Sequence, residues 1–171
     1  MTTLGAVFLP QLAPERLREV ARSADEAGLQ ELWLWEDCFR ESAIASAAAA
    51  LAWTELLHVG VGLLPAPLRN VAVTGMEIAT LHRLFPGRVR VGVGHGVQDW
   101  MRQVGAQVES PLTLLQEYVA ALGALLLGEA VTTAGRSGRL DGGRLDWPPG
   151  RVRRLLVCRG GPPASAVPGG L

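Results

Sequence analysis

The stretch Leu56-Leu-His-Val-Gly-Val-Gly-Leu-Leu-Pro65, followed after a helical interval by Arg88-Val-Arg-Val-Gly-Val-Gly-His-Gly96, decides the fold. Each is a short, valine-rich run closed by Pro or Gly, the pattern of a strand buried on both faces of a parallel sheet. Between them, Asn70 is placed to cap a helix whose apolar face comprises Val73, Met76, Ile78, Ala79 and Leu81. Pro86-Gly87 then turns the chain into the next strand. Strand, helix and strand within one short interval make a βα repeat.

The same alternation extends in both directions. Leu4–Leu9 reads as a strand ended by Pro10, and Pro14 opens a helix with Leu17, Val20, Ala21, Ala24 and Ala27 at helical spacing, stopped by Gly28. Leu32–Trp35 is the next strand, closed by Glu36 and Asp37, and Ser42–Trp53 is an alanine-rich helix. Downstream, Pro111 opens a long helix with Leu112, Leu115, Val119, Leu122 and Leu126 along one side, stopped by Gly128. Val131–Thr133 and Leu140–Trp147 read as strand-like pieces around Gly-rich turns, and Arg154–Cys158 as a fifth strand. Strands starting near residues 4, 32, 56 and 89 with helices between them predict a parallel sheet, either doubly wound or a (β/α)8 barrel.

Composition narrows the function classes. Of 171 residues 49% are hydrophobic and 19% charged, which is a globular chain. The 16 basic residues, all arginine, balance 16 acidic ones, so net charge points to neither nucleic acid nor an anionic membrane. Without any lysine, a P-loop, a Schiff base and a pyridoxal-phosphate anchor are excluded. Cys38 and Cys158 lack metal-ligand spacing, so neither a zinc site nor any other metal site is expected, and two isolated thiols suit a reducing cytoplasm. The N-terminus has no basic region ahead of an apolar one, and Ala43–Trp53 is too short to span a membrane.

Three candidate sites fall at predicted strand ends. Gly92, Gly94 and Gly96 mark close backbone approach, either to a ligand or to another chain segment. The dinucleotide fingerprint GxGxxG is not met, because the third glycine comes one position early and no strand carries the expected acid. Asp37 stands either at a ligand or as the cap of the next helix. Cys38 is a nucleophile only with a base beside it, such as His95 reaching across strand ends; otherwise it is an inert thiol. Gly60 and Gly62 inside a strand signal a bulge, while His58 and His82 read as structural. All three sites share the carboxyl-terminal ends of the strands, where (β/α)8 enzymes build active sites.

Leu57–Arg69, then Met76-Glu-Ile-Ala-Thr-Leu81, then Pro86-Gly-Arg-Val-Arg-Val-Gly-Val-Gly-His-Gly96 together resemble the luciferase-like monooxygenase family. They are most similar to its deazaflavin (coenzyme F420)-dependent branch related to methylene-tetrahydromethanopterin reductase, over about residues 3–150. The resemblance implies an α/β fold, a (β/α)8 TIM-type barrel that binds F420 or FMN at its carboxyl-terminal mouth. It also implies hydride transfer to or from an organic small molecule. A strand-three bulge with a non-prolyl cis peptide would support the ring at Gly62–Leu63, at a cost of about 3–4 kcal/mol for such a bond. Asp37 and Gly94-His95-Gly96 would line the ring and its polar edge. Members that oxidise a sugar phosphate carry His after the Asp and Glu after the second loop glycine. Cys38 and Val97 stand there, which implies a different substrate and no such acid–base pair. The hairpin-like segment 130–147 matches an insertion common after the fourth helix.

Length bears on that expectation. A full barrel takes about 250 residues, so residues 1–150 are expected to form an incomplete barrel, the N-terminal four to five βα units, with 151–171 as a basic, Gly/Pro-rich tail. The tail carries Arg151, Arg153, Arg154 and Arg159 and no acid, and it has the look of a frameshift that sequencing past codon 150 would test. The expected alternative to an oxidoreductase is an inactive half-barrel that self-associates, as a homo-oligomer, through open sheet edges.

Overall fold

Strands β1 (Gly5–Phe8), β2 (Glu31–Leu34), β3 (His58–Pro65), β4 (Val89–Gly94) and β7 (Leu156–Cys158) form one sheet in the order β1-β2-β3-β4-β7, every neighbouring pair parallel. The computed structural model describes residues 3–135, 138–150 and 155–158. Helices α1 (Leu17–Glu26), α2 (Ala43–Trp53) and α3 (Val71–Leu84) follow the first three strands, and α4 (Gln98–Gln103) with α5 (Pro111–Leu126) follow the fourth. The antiparallel hairpin β5 (Val131–Gly135) and β6 (Gly138–Gly143) comes before β7. The expected βα repeats, the hairpin and the fifth parallel strand are therefore present, as part of a barrel; Arg154, the expected first residue of that last strand, lies outside the described residues.

The register sorts the two sheet faces. Phe8, Leu34, Val61 and Val91 are cross-strand partners and all are buried, on the face that α2 and α3 cover. Val7, Trp33, Gly60 and Arg90 pair in the adjacent row and point to the opposite face, since successive side chains alternate along a strand. The apolar core sits between sheet and helices. No helix among the described residues is long and apolar enough to cross a membrane.

Two helix faces match expectation in part. Ile78, Ala79 and Leu81 of α3 and Leu115, Leu122 and Leu126 of α5 are buried as expected, but Val73, Met76 and Leu112 are exposed, and α3 buries Val71, Thr74, Gly75 and His82 as well. The reason lies in α5: the Tyr118 hydroxyl donates to Thr74 Oγ1 at 2.6 Å, and a Cβ on Gly75 would sit only 3.6 Å from Leu125 Cδ1. Polar and small residues thus form the contact between these helices. Burial pushes the Tyr118 phenol up to about 12, so it stays a donor. His82 is buried with neither ring nitrogen hydrogen-bonded, and burial lowers its pKa, which keeps it neutral. Helix α4 has no apolar period in its sequence, and Met101 is its one buried residue.

The amino-terminal side of the sheet is fastened by Asp25. Its carboxylate accepts the backbone N–H groups of Glu55 at 2.7 Å, Leu56 at 3.1 Å and Leu57 at 2.7 Å. Arg88 completes the corner, donating to Leu57 O and Thr54 Oγ1. Burial alone would raise the Asp25 pKa, but the three N–H donors and Arg88 outweigh it and hold it below 3.8. Asp25→Asn should cost about 1–3 kcal/mol at neutral pH, read from urea denaturation midpoints. Because the folded pKa is lowered, that contribution is full above the unfolded carboxylate value and lost as pH falls through the lowered one. The gap between wild type and variant should therefore close in acid; a gap independent of pH would contradict the assignment.

Candidate cofactor site at the carboxyl-terminal strand ends

The site is built on a bulge. Val61 pairs with Val91 and Leu64 with Val93, so Gly62 and Leu63 together stand opposite Gly92. The expected bulge is there; the expected cis peptide is not, for every peptide bond among the described residues is trans, Gly62–Leu63 included. The extra residue is taken up by the register shift, without a bond geometry that costs a non-proline about 3–4 kcal/mol.

The strand glycines serve close approach. A Cβ on Gly60 would enter the Trp33 ring, and one on Gly62 would lie 2.5 Å from Trp35 Cδ1 and 3.1 Å from Leu34 O. One on Gly92 would meet Val61 O at 3.2 Å. The result is a wall of backbone and flat indole faces, with few projecting side chains. Beneath it, Trp33 Nε1 donates to Glu31 Oε2 at 2.9 Å, and Arg90 Nη2 pairs with Glu31 Oε1 at 2.7 Å.

The loop after β2 carries Asp37, and its neighbours settle what Asp37 does not do. Ala43 N–H donates to Glu36 Oε2 at 3.0 Å and Ala45 N–H to Ser42 Oγ, so Glu36 and Ser42 cap α2 and Asp37 does not. Glu36 also receives both Nε and Nη2 of Arg69, at 3.0 and 3.1 Å, while Arg69 Nη1 reaches Glu77 of α3. Burial lowers the Arg69 pKa, but the Glu36 hydrogen bonds and the charges of Glu36 and Glu77 raise it more, so the guanidinium stays charged. This network joins the Asp37 loop to the segment that follows the β3 bulge. Phe39 holds φ 68°, in the left-handed region, and is exposed; Arg40 Nη1 fastens the same loop to Pro10 O.

The loop after β4 sits beside the bulge, with Gly94 paired to Pro65 of β3 and to Cys158 of β7. Gly96 has φ 71°, and a Cβ there would lie 3.1 Å from Met101 Sδ and from Pro65 Cβ, so only glycine suits the position. His95 Nδ1 lies 2.7 Å from Gly96 O, and Gln98 Nε2 donates to His95 O and Gly96 O. Five of the six expected site residues, Gly62, Leu63, Gly94, His95 and Gly96, thus share two adjacent strand ends. Asp37 lies at the end of the next strand over, with no hydrogen bond to them among the described residues.

Among the described residues no hydrogen bond joins His95 to Cys38. Burial, then Glu36 and Asp37, push the Cys38 thiol up, away from a thiolate. Iodoacetamide should accordingly alkylate Cys38 more slowly at neutral pH than it alkylates free cysteine; an equal or faster rate would reinstate an activated thiol. Sequence reading missed Trp35, Gln98 and Glu41. Glu41 Oε1 is buried in the β2–α2 loop without a partner, and its only signal was a further acid close to Asp37. A flat wall of backbone and indole at the strand ends fits a planar heteroaromatic group.

Residues 2–165 match the profile of the luciferase-like monooxygenase family. The chain belongs to that family. It is similar to 5,10-methylenetetrahydromethanopterin reductase of Methanolobus tindarius, 29% identical over 92% of this chain and 48% of that protein. It is also similar to F420-dependent glucose-6-phosphate dehydrogenase of Nocardia farcinica (strain IFM 10152), 31% identical over 89% of this chain and 49% of that protein. Among solved structures, an F420-dependent secondary alcohol dehydrogenase in complex with an F420-acetone adduct matches with TM-score 0.79 at 26% identity, over 91% of this chain and 52% of that one. The tetrahydromethanopterin reductase of Methanopyrus kandleri matches in fold, with TM-score 0.73 at 20% identity, over 85% of this chain and 46% of that one. This luciferase-like chain thus spans about half the length of the relatives it matches.

Proposed function

We propose that this luciferase-like chain binds coenzyme F420 at the β2, β3 and β4 ends and transfers hydride between that cofactor and a small organic molecule. The observation that carries the reading is the backbone-and-indole wall around the β3 bulge, at the strand ends where this family's fold presents ligands. Asp37, Gly62, Leu63, Gly94, His95 and Gly96 would hold the ring, with the Gly96 loop and Asp37 on its polar edge. When bound, the deazaflavin supplies the carbon that gives or takes hydride; the protein supplies orientation and a water-poor surface. F420 is favoured over FMN because the relatives near 30% identity are named for F420 chemistry. A small-molecule partner and a reducing cytoplasm, in which Cys38 stays a free thiol, belong to the same reading.

Titration of the purified chain with F420 and with FMN, followed by cofactor fluorescence, tests it. Saturable binding of F420 is expected, with FMN weaker; saturation by FMN alone reverses the cofactor choice, and saturation by neither overturns the reading.

A second reading, self-association without activity, draws on the sheet face that no helix among the described residues covers, where Val7, Leu9 and Trp35 are exposed. It requires a concentration-dependent oligomer in sedimentation and no binding of either cofactor.

A further inference from the structure

Two tryptophans at the end of β2 lie over two glycines of β3, and they are held differently. Trp33 and Trp35 fall on the same sheet face, the one that no helix among the described residues covers, and Gly60 and Gly62 leave room beneath them. In the lower row the six-membered ring of Trp33 covers Gly60, and its Nε1 is tied to Glu31, which Arg90 holds in turn. In the upper row, at the bulge, the pyrrole edge of Trp35 covers Gly62: a Cβ there would lie 2.5 Å from Cδ1 and 2.9 Å from Nε1. That indole makes no hydrogen bond among the described residues, and it is 42% exposed. The backbone on either side of it is fixed. Leu34 is wholly buried, and Glu36 accepts from the Ala43 N–H and from Arg69. The indole is therefore free to turn about its own side-chain bonds while the strand end stays where it is.

We propose that Trp35 is a stand-in for the ligand: in the free protein its indole occupies the face of Gly62 on which the cofactor ring is to rest, and it selects that ring by size. The inference rests on the F420 reading above. Indole and incoming ring are both flat aromatic surfaces, so binding exchanges one such contact for another. The net gain is then the extra apolar area, together with the hydrogen bonds at the rim, and not the whole stacking contact. Three fused rings outdo an indole on that count, whereas a heterocycle of one or two rings does not and stays out. Displacement also lowers the affinity. The observed dissociation constant is the intrinsic one divided by the fraction of chains whose bulge is bare, so an indole off Gly62 for about a tenth of the time or less weakens binding about tenfold or more. The lower row shows the contrast. Trp33, anchored to Glu31, keeps Gly60 covered, and only the upper place is open to exchange.

Three measurements on the full chain test this. The first needs no cofactor. In protein labelled with 5-fluorotryptophan, Trp35→Phe assigns the Trp35 19F signal, and Gly62→Ala should move it; an unmoved signal overturns the proposal. Saturating F420 should then carry the wild-type Trp35 signal towards its position in the denatured chain, and a signal that stays in place also overturns the proposal. Second, Trp35→Ala should bind F420 about tenfold or more tightly than wild type, read from cofactor fluorescence. Equal or weaker binding would make the indole a support for the ring and overturn the proposal. Third, free indole should compete with F420 in Trp35→Ala and not in wild type; the same response in both chains overturns the selection by size. F420 that saturates neither chain overturns the cofactor reading and this inference with it, whereas F420 that saturates wild type but binds Trp35→Ala no more tightly overturns this inference alone.

Discussion

Arg69→Met should destabilise the fold by about 3–5 kcal/mol, the cost of removing one partner from a largely buried ionic network. The side chains of Arg69 and Glu36 are only 16% and 12% exposed, so water cannot replace the lost guanidinium. Glu36 would keep one partner, the Ala43 N–H, and Glu77 would lose the guanidinium that neutralises it. Denaturant unfolding measures the loss. The accompanying change Glu36→Gln with Glu77→Gln should recover much of it, because the penalty is the uncompensated charge and not the missing contact. A single variant within about 1 kcal/mol of wild type would show the network to be solvated. Since Arg69 joins the Asp37 loop to the bulge segment, the variant that still folds should also bind F420 more weakly.

The second large effect is at Gly60. Gly60→Val places a branched side chain inside the space of the Trp33 ring. Trp33 must leave, giving up its bond to Glu31, and Glu31 then holds Arg90 alone. Overpacking of this kind costs about 1–3 kcal/mol and more where the backbone must shift. Loss of cooperative unfolding and a red shift of tryptophan emission are the expected signs. Gly62→Ala makes the informative contrast. Its Cβ meets Trp35, which is 42% exposed and free to swing away, so stability should change little while cofactor affinity falls. Equal loss of stability in both variants would mean that Trp35 is as fixed as Trp33.

The strands were legible because each is a short valine- or leucine-rich run with a hard stop: Pro10 after β1, Pro65 after β3, the Gly94–Gly96 loop after β4. Helix limits followed from Asn70, Pro111 and Gly128 for the same local reason. The α3 face was legible only in part, at Ile78, Ala79 and Leu81, because its contact with α5 also uses Thr74 and Gly75, and a count of apolar residues gives those no weight. The strand-end location of the site could be read from glycine spacing, but not the partners of those glycines. Trp33 lies far from Gly60 in sequence and meets it only through the β2–β3 register. Arg69 and Glu36 are likewise separated in sequence, and only the folded loops bring their opposite charges together. The resemblance supplied a cis peptide that the bulge in this chain does without.

Glycine at 60, 62 and 92 has a consequence for how such a site can change over generations. A wall made of main chain has almost no side chains to exchange, and a methyl group at Gly60 or Gly62 would overlap an indole, while one at Gly92 would press on a carbonyl at 3.2 Å. Point substitution therefore has little to work on there, and variation is channelled into the rim, at Asp37, Cys38, His95 and Val97, where side chains have more room to differ. The floor would keep one cofactor while the rim explores substrates.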